Sequence, residues 1–235
     1  MLTSRSRSTA PPEAAQELLP DTAIGLDLTC KYDDRNMMNI MSTAPTRKEL
    51  SHERIVDVAA RAIRRAGYRG VGVADIMKEA GLTHGGFYAH FASRDALLVE
   101  AMQRASRDNQ AALSEAMERR MAKGSTRFAA LVWAYLHDTN LDRPDQGCVV
   151  AALASEMTRQ DDAVREEARR RVTDLVALVG AALPAGTEPG QAAVVAATMV
   201  GALQLARTLG GKAGRGLLAQ TREALIRRHD SPAAA

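Results

Sequence analysis

Between Val73 and Phe91 the chain reads VADIMKEAGLTHGGFYAHF, a run compatible with few folds. Val73, Ile76, Met77 and Ala80 recur at the spacing of one helical face and predict a short helix ending at Ala80. Gly81 follows, a residue that accepts a positive φ in a sharp turn, and Thr83 opens a second short helix running to Phe91. Ala80 is small enough to let the two helices approach closely. Ahead of them, Ile55, Val58, Ala59, Ala62, Ile63 and Ala66 mark an amphipathic helix that opens at Ser51 and stops at Gly67. Ile76, Leu82, Phe87 and Phe91 then share a small core with Ile55, Ala59 and Ile63. The expectation is a three-helix head over 46–93 built around a helix-turn-helix.

The rest of the chain points to more helix. Ser93 is placed to cap a long segment starting at Arg94, and further segments are expected at 125–141, 147–158, 161–183, 188–209 and 214–229. Gly124, Pro144 with Gly147, Pro184 with Gly186, and Gly210-Gly211 separate them. Hydrophobic residues make up 46% of the 235 residues but aromatics only 3%, a balance resting on Ala, Leu and Val, with no sustained period-2 alternation. The fold class is all-α, with about nine helices: the head, then a helical body over 94–229. Residues 1–45 carry Ser, Thr, Pro and Asp clusters and read as a poorly ordered extension, and 230–235 as a tail. Met37, Met38 and Met41 stand just before the first helix and offer alternative translation starts.

With Phe87 and Phe91 in the head's core, Thr83, His84, Gly85, Tyr88 and His90 fall on other faces of the second short helix. Short polar groups and a hydrogen-bonding aromatic there suit a DNA major groove. The adjacent Gly85 and Gly86 cost about 1 kcal/mol each against alanine in a helix, which close approach to DNA or local packing would explain. The run GYRGVGVADIMKEAGLTHGGFYAHFASRDAL resembles the DNA-binding head of the TetR family of bacterial repressors, over about 50 contiguous residues. The resemblance makes Thr83–His90 the recognition helix, with Thr83 and His84 on bases or phosphates and Tyr88 on a phosphate oxygen. It puts Arg94 where the family usually has a lysine near the DNA backbone, and lets Arg47 and Lys48, just before the first helix, reach an adjacent groove. Gly72 stands where the family often has Thr, so a hydroxyl contact is lost or replaced by a backbone N–H. His84 and His90 are also readable as ordinary surface histidines. Net charge is +3, and the acids of the head offset much of its arginine, so charge alone does not select nucleic acid.

A single reading head implies a homodimer on palindromic double-stranded operator DNA. The resemblance assigns pairing to the last two helices, here 192–209 and 217–226. The small-residue run AAVVAATMVGALQLA permits close approach, although a buried core helix reads the same way. The resemblance also implies a small-molecule inducer held in the body. Met102, Met117, Phe128, Trp133, Tyr135, His137, Cys148 and Met157 are candidate lining residues, each equally able to fill core. Cys148 falls after Gly147 at an expected helix start, where the helix dipole favours a thiolate. It is therefore a candidate electrophile or redox sensor, or else a small buried hydrophobe.

No phosphate-binding loop, nucleophile elbow or HExxH is present, so no enzyme is expected, and no cofactor or metal. Glu166 and Glu167 lie in VREEARRRV and read as a solvated, ion-paired face. Cys30 and Cys148 match no metal spacing or disulfide framework, which suits a reducing cytoplasm. Arg5 and Arg7 are followed by Pro11, Pro12 and Glu13 rather than an apolar stretch, and no run is expected to span a membrane. The alternative function is an all-helical interaction protein that does not bind DNA.

Overall fold

The computed structural model describes residues 44–230, and the chain divides into two units, Met1–Ala44 and Pro45–Ala235. Expectations for the N-terminal extension, Cys30 and the tail beyond Asp230 fall outside the described residues. Among those residues there are nine α-helices, one 3-10 segment and no strand. In order they are α1 (Arg47–Ala66), α2 (Val73–Glu79), the 3-10 segment His84–Ala89, α3 (Arg94–Met121), α4 (Arg127–Tyr135), α5 (Thr139–Asp142), α6 (Val149–Met157), α7 (Asp162–Ala182), α8 (Gln191–Leu209) and α9 (Gly211–His229).

Helix α1 begins four residues ahead of the expected Ser51. Thr46 and Glu49 form a capping box: the Glu49 N–H donates to Thr46 Oγ1 at 3.2 Å and the Thr46 N–H to Glu49 Oε2 at 2.7 Å. Arg47 and Lys48 therefore lie in the first turn of α1 rather than before it. The helix expected over 125–141 is broken after Tyr135. Asn140 Nδ2 donates to the carbonyls of Ala134 (3.0 Å) and Tyr135 (2.8 Å), and Arg222 of α9 donates to the carbonyl of Leu136 at 2.5 Å. These side chains take carbonyls that a continuing helix would have used. Helix α9 starts at Gly211, earlier than the expected 214, because Gly210 (φ 64°) and Gly211 (φ 46°) between them make the turn from α8.

The head's small core forms as expected: Ile55, Ala59, Ile63, Ile76, Phe87 and Phe91 are buried, with Leu82 partly so. Helix α1 packs on α3, α3 on α4 and α7, and α7 and α9 on α8. Val195, Met199, Ala202, Leu203 and Ala206 turn one face of α8 inward, while Val194, Leu205 and Leu209 stay exposed. The expectation that no run reaches membrane-spanning length is corrected here. Helix α8 is long and apolar enough by length and composition, because its many alanines and valines are diluted by one charge only.

Candidate nucleic-acid interface and its link to the body

Gly81, at φ 71°, turns the chain between α2 and the reading segment, a conformation that favours glycine. The expected second helix is six residues of 3-10 geometry, His84–Ala89, in keeping with the low helix propensity of Gly85-Gly86. Phe87 and Phe91 stack at 5.5 Å between ring centroids and anchor the segment to the core. Tyr88 meets Phe87 edge-on at 5.2 Å, and 75% of its surface remains exposed. Thr83, His84 and Gly85 are also exposed, and the Thr83 hydroxyl caps no backbone N–H. A Cβ on Gly85 would meet nothing within 4 Å, and one on Gly86 would make only ordinary contact with Thr83 and Met77. Packing within the chain therefore does not require either glycine. Gly72 precedes α2 as its N-cap with no side-chain bond.

Two head residues sit differently from what the resemblance implies. Arg94 donates from its guanidinium to the Tyr68 carbonyl, so it is engaged within the chain. His90 is half-buried, its Nδ1 enclosed without a partner, and His52 lies 6.0 Å away. Burial first, then the charges of His52 and Lys48, lower the pKa of His90 and favour the neutral ring. His52 itself stacks on Phe91 at 4.5 Å and pairs with Glu100 at 2.7 Å.

The head is tied to the body through α6. Tyr68 is wholly enclosed: its N–H donates to Glu156 Oε2 at 3.1 Å, its carbonyl accepts from Arg94, and its hydroxyl donates to Met102 Sδ at 3.1 Å. Arg64, buried in α1, donates to the carbonyls of Ala105 (3.3 Å) and Gly147 (3.4 Å). Gly147 immediately precedes Cys148, the N-cap of α6. Cys148 is buried beside Tyr135 and Arg207. Burial, and then the adjacent thiol, push the Tyr135 phenol well above its ordinary pKa, and its hydroxyl forms no well-made hydrogen bond. Burial lowers the pKa of Arg207, whose guanidinium donates to the Asn140 carbonyl at 3.0 and 3.2 Å. A Cβ on Gly147 would lie 2.9 Å from Arg207 Nη2, so a larger residue there would displace the end of the Arg207 side chain.

Of the expected lining residues, Met102, Met117, Phe128, Tyr135, Cys148 and Met157 are packed into the interior. Trp133 and His137 instead open onto a groove of about 570 Å³, with Arg120, Lys123, Arg143 and Gln146 in its wall. The sequence reading missed these cations, because each sits at a helix end or in a loop, where solvated charge is the ordinary reading.

Residues 55–101 match the family described as "Bacterial regulatory proteins, tetR family". Curated proteins gave no match. Among solved structures, E. coli NemR in its reduced form is similar at a TM-score of 0.64 and 20% identity, over 78% of this chain and 99% of that one. A TetR-family transcriptional regulator from Agrobacterium tumefaciens matches at 0.61 and 25% identity, over 77% and 98%. A TetR regulator from Chloroflexus aurantiacus matches at 0.63 and 24%, over 77% and 94%.

Proposed function

We propose that this chain, a TetR-family DNA-binding regulator by its head and its fold, is a cytoplasmic homodimeric repressor released from its operator by a small molecule or by modification of Cys148. The observation that carries the reading is the pairing of a buried Phe87–Phe91 anchor with exposed Thr83, His84, Gly85 and Tyr88. Exposed polar groups on a rigidly held short segment, beside a glycine that nothing in the chain demands, suit the approach of a DNA backbone. Thr83 and His84 read bases, and Tyr88 holds a phosphate. Arg47 and Lys48 extend the contact from α1, Gly72 offers a backbone N–H, and His90 and Arg94 support the segment from behind.

Pairing uses α8 and α9. Val194, Leu205 and Leu209 form an exposed apolar set on α8 that a second copy would cover. Release follows from the junction at Gly147. A ligand or a modified Cys148 that shifts the start of α6 moves the carbonyl held by Arg64 and the carboxylate of Glu156 that holds Tyr68. The two heads then lose the spacing of half-sites, which recur at about 34–36 Å per turn of DNA. The described part of the chain holds one cysteine, and the similar E. coli structure is a reduced form.

A gel-shift on DNA upstream of the chain's own gene tests the reading, with Tyr88→Ala as control. Saturable binding lost in the variant supports it. A folded dimer that selects no sequence even from randomised DNA favours the interaction-protein alternative. Release by an electrophile that persists in Cys148→Ser removes the cysteine from the mechanism.

A further inference from the structure

We propose that the groove between the C-terminal half of α3, α4 and the 137–146 segment binds an organic anion: a flat apolar ring system bearing a carboxylate, packed against Trp133. Arg119, Arg120, Lys123 and Arg143 line this groove, and among the described residues no Asp or Glu does. Arg119 is paired with Glu115. For Arg120, Lys123 and Arg143 the described residues supply no carboxylate partner. Of the acids near them in sequence, Asp142 is engaged by Arg215 at 2.9 Å and Asp138 by Arg222 at 3.3 Å, and neither Glu118 nor Asp145 lines the groove. His137 also lines the groove, its Nδ1 accepting from the Thr139 N–H at 3.3 Å and lying 3.0 Å from the Thr139 hydroxyl. The wall is thus rich in cations and donors and has no anion of its own, the complement of a carboxylate.

The rest of the lining selects a flat apolar body. Ala112, Leu113, Ala116 and Ala134 join Trp133 in the groove. The guanidinium carbons of Arg120 and Arg222 lie 4.1 and 4.3 Å from the Trp133 ring centre and cover the indole, so the bound ring system meets Trp133 at its edge and packs on the neighbouring alanines and Leu113. A volume of about 570 Å³ accommodates one or two fused rings with their carboxylate. None of the lining residues belongs to α8 or α9, and the groove meets α9 only at Trp133, over which Arg222 lies. Its wall ends at Gln146, beside the Gly147 carbonyl that Arg64 of the head holds. The role of this anion as an effector rests on the regulator reading above; its binding does not.

Trp133 is the only tryptophan of the chain, so its fluorescence reports on the groove directly. The full-length chain is titrated with benzoate and 1-naphthoate, with the uncharged benzamide and 1-naphthamide, and with inorganic phosphate. A saturable change is expected with at least one carboxylate at a Kd of about 1 mM or tighter, with its amide at least tenfold weaker. Lys123→Ala/Arg143→Ala should weaken that binding about tenfold. Both residues are exposed, so the variant is expected to keep the wild-type circular dichroism and melting temperature, which are measured alongside. No saturation up to about 10 mM with either carboxylate, equal affinity for acid and amide, or undiminished binding by the double variant overturns the proposal. So does phosphate giving the same change at the same concentration, which would reduce the groove to a simple anion patch. The titration contains no DNA, so its failure leaves operator binding by gel-shift standing, and failure of the gel-shift leaves the titration standing.

Discussion

Two glycines of α9, two residues apart, should respond to alanine with opposite signs. A Cβ on Gly214 would lie 2.3 Å from the Ala206 carbonyl oxygen of α8 and 3.3 Å from Leu141 Cδ1, whereas one on Gly216 would meet nothing within 4 Å. The Ala206 oxygen has no freedom to swing aside, because it accepts the Gly210 N–H at 2.9 Å. Reaching about 3.3 Å, the short end of ordinary C–H···O contacts, requires α8 and α9 to part by about 1 Å. Overpacking of this kind costs about 1–3 kcal/mol, and parting the helices weakens dispersion along the whole seam. Alanine returns about 1 kcal/mol of helix propensity at either site. Gly214→Ala should therefore lose up to about 2 kcal/mol and Gly216→Ala gain about 1. With a urea m-value of about 2 kcal/mol/M, their midpoints should separate by about 1 M. Both variants are compared at one protein concentration, since a dimer's midpoint depends on it. A Gly214→Ala midpoint that rises together with that of Gly216→Ala would refute the close-packed account of the α8–α9 seam.

Tyr88→Phe should weaken binding by a similar factor on specific and random DNA, whereas His84→Ala should change the preferred sequence; selection from randomised DNA at two salt concentrations separates the two roles. His90 has a pKa depressed by burial, so the unfolded chain takes up its proton first as pH falls. The stability it contributes is present above the unfolded value of about 6.5 and is lost as pH drops below that. His229, lowered by burial and by Arg228, acts in the same direction. The melting temperature should therefore fall between pH 7.5 and pH 5, and His90→Gln should make that fall shallower. Glu156→Gln turns the charge-assisted bond from the Tyr68 N–H into a neutral one; a loss of about 1 kcal/mol in urea, with faster hydrogen exchange at the Tyr68 amide, is expected.

The head was legible because its signals are local. Glycine at 81, the spacing of Ile76, Phe87 and Phe91, and Ser93 as a cap each act within a turn or two, and the Ser93 side chain does accept the Ala96 N–H at 3.1 Å. The early start of α1 was legible too, since Thr46-Arg47-Lys48-Glu49 is a capping-box pattern, although the apolar stripe that opens later drew the boundary to Ser51. The break after Tyr135 could not be read locally. It depends on Arg222, 86 residues further along the chain, reaching back to the Leu136 carbonyl. The groove was illegible for a related reason. Cations at 119–123 and 143 become one wall only when the end of α3 and the segment after α5 are brought together, and two acids near them, Asp138 and Asp142, find their partners on α9.

The Tyr68 anchorage bears on how such chains recombine. The amide, carbonyl and hydroxyl of this residue all find their partners beyond position 93, on Glu156, Arg94 and Met102. A graft that cuts after Ser93 and joins this head to another protein's body would leave a buried phenol and a buried amide without acceptors. The smallest portable reading unit is therefore the head together with α3 and α6. Exchange of specificities between chains built this way should succeed by swapping the few exposed side chains at 83–88 and fail by swapping whole heads.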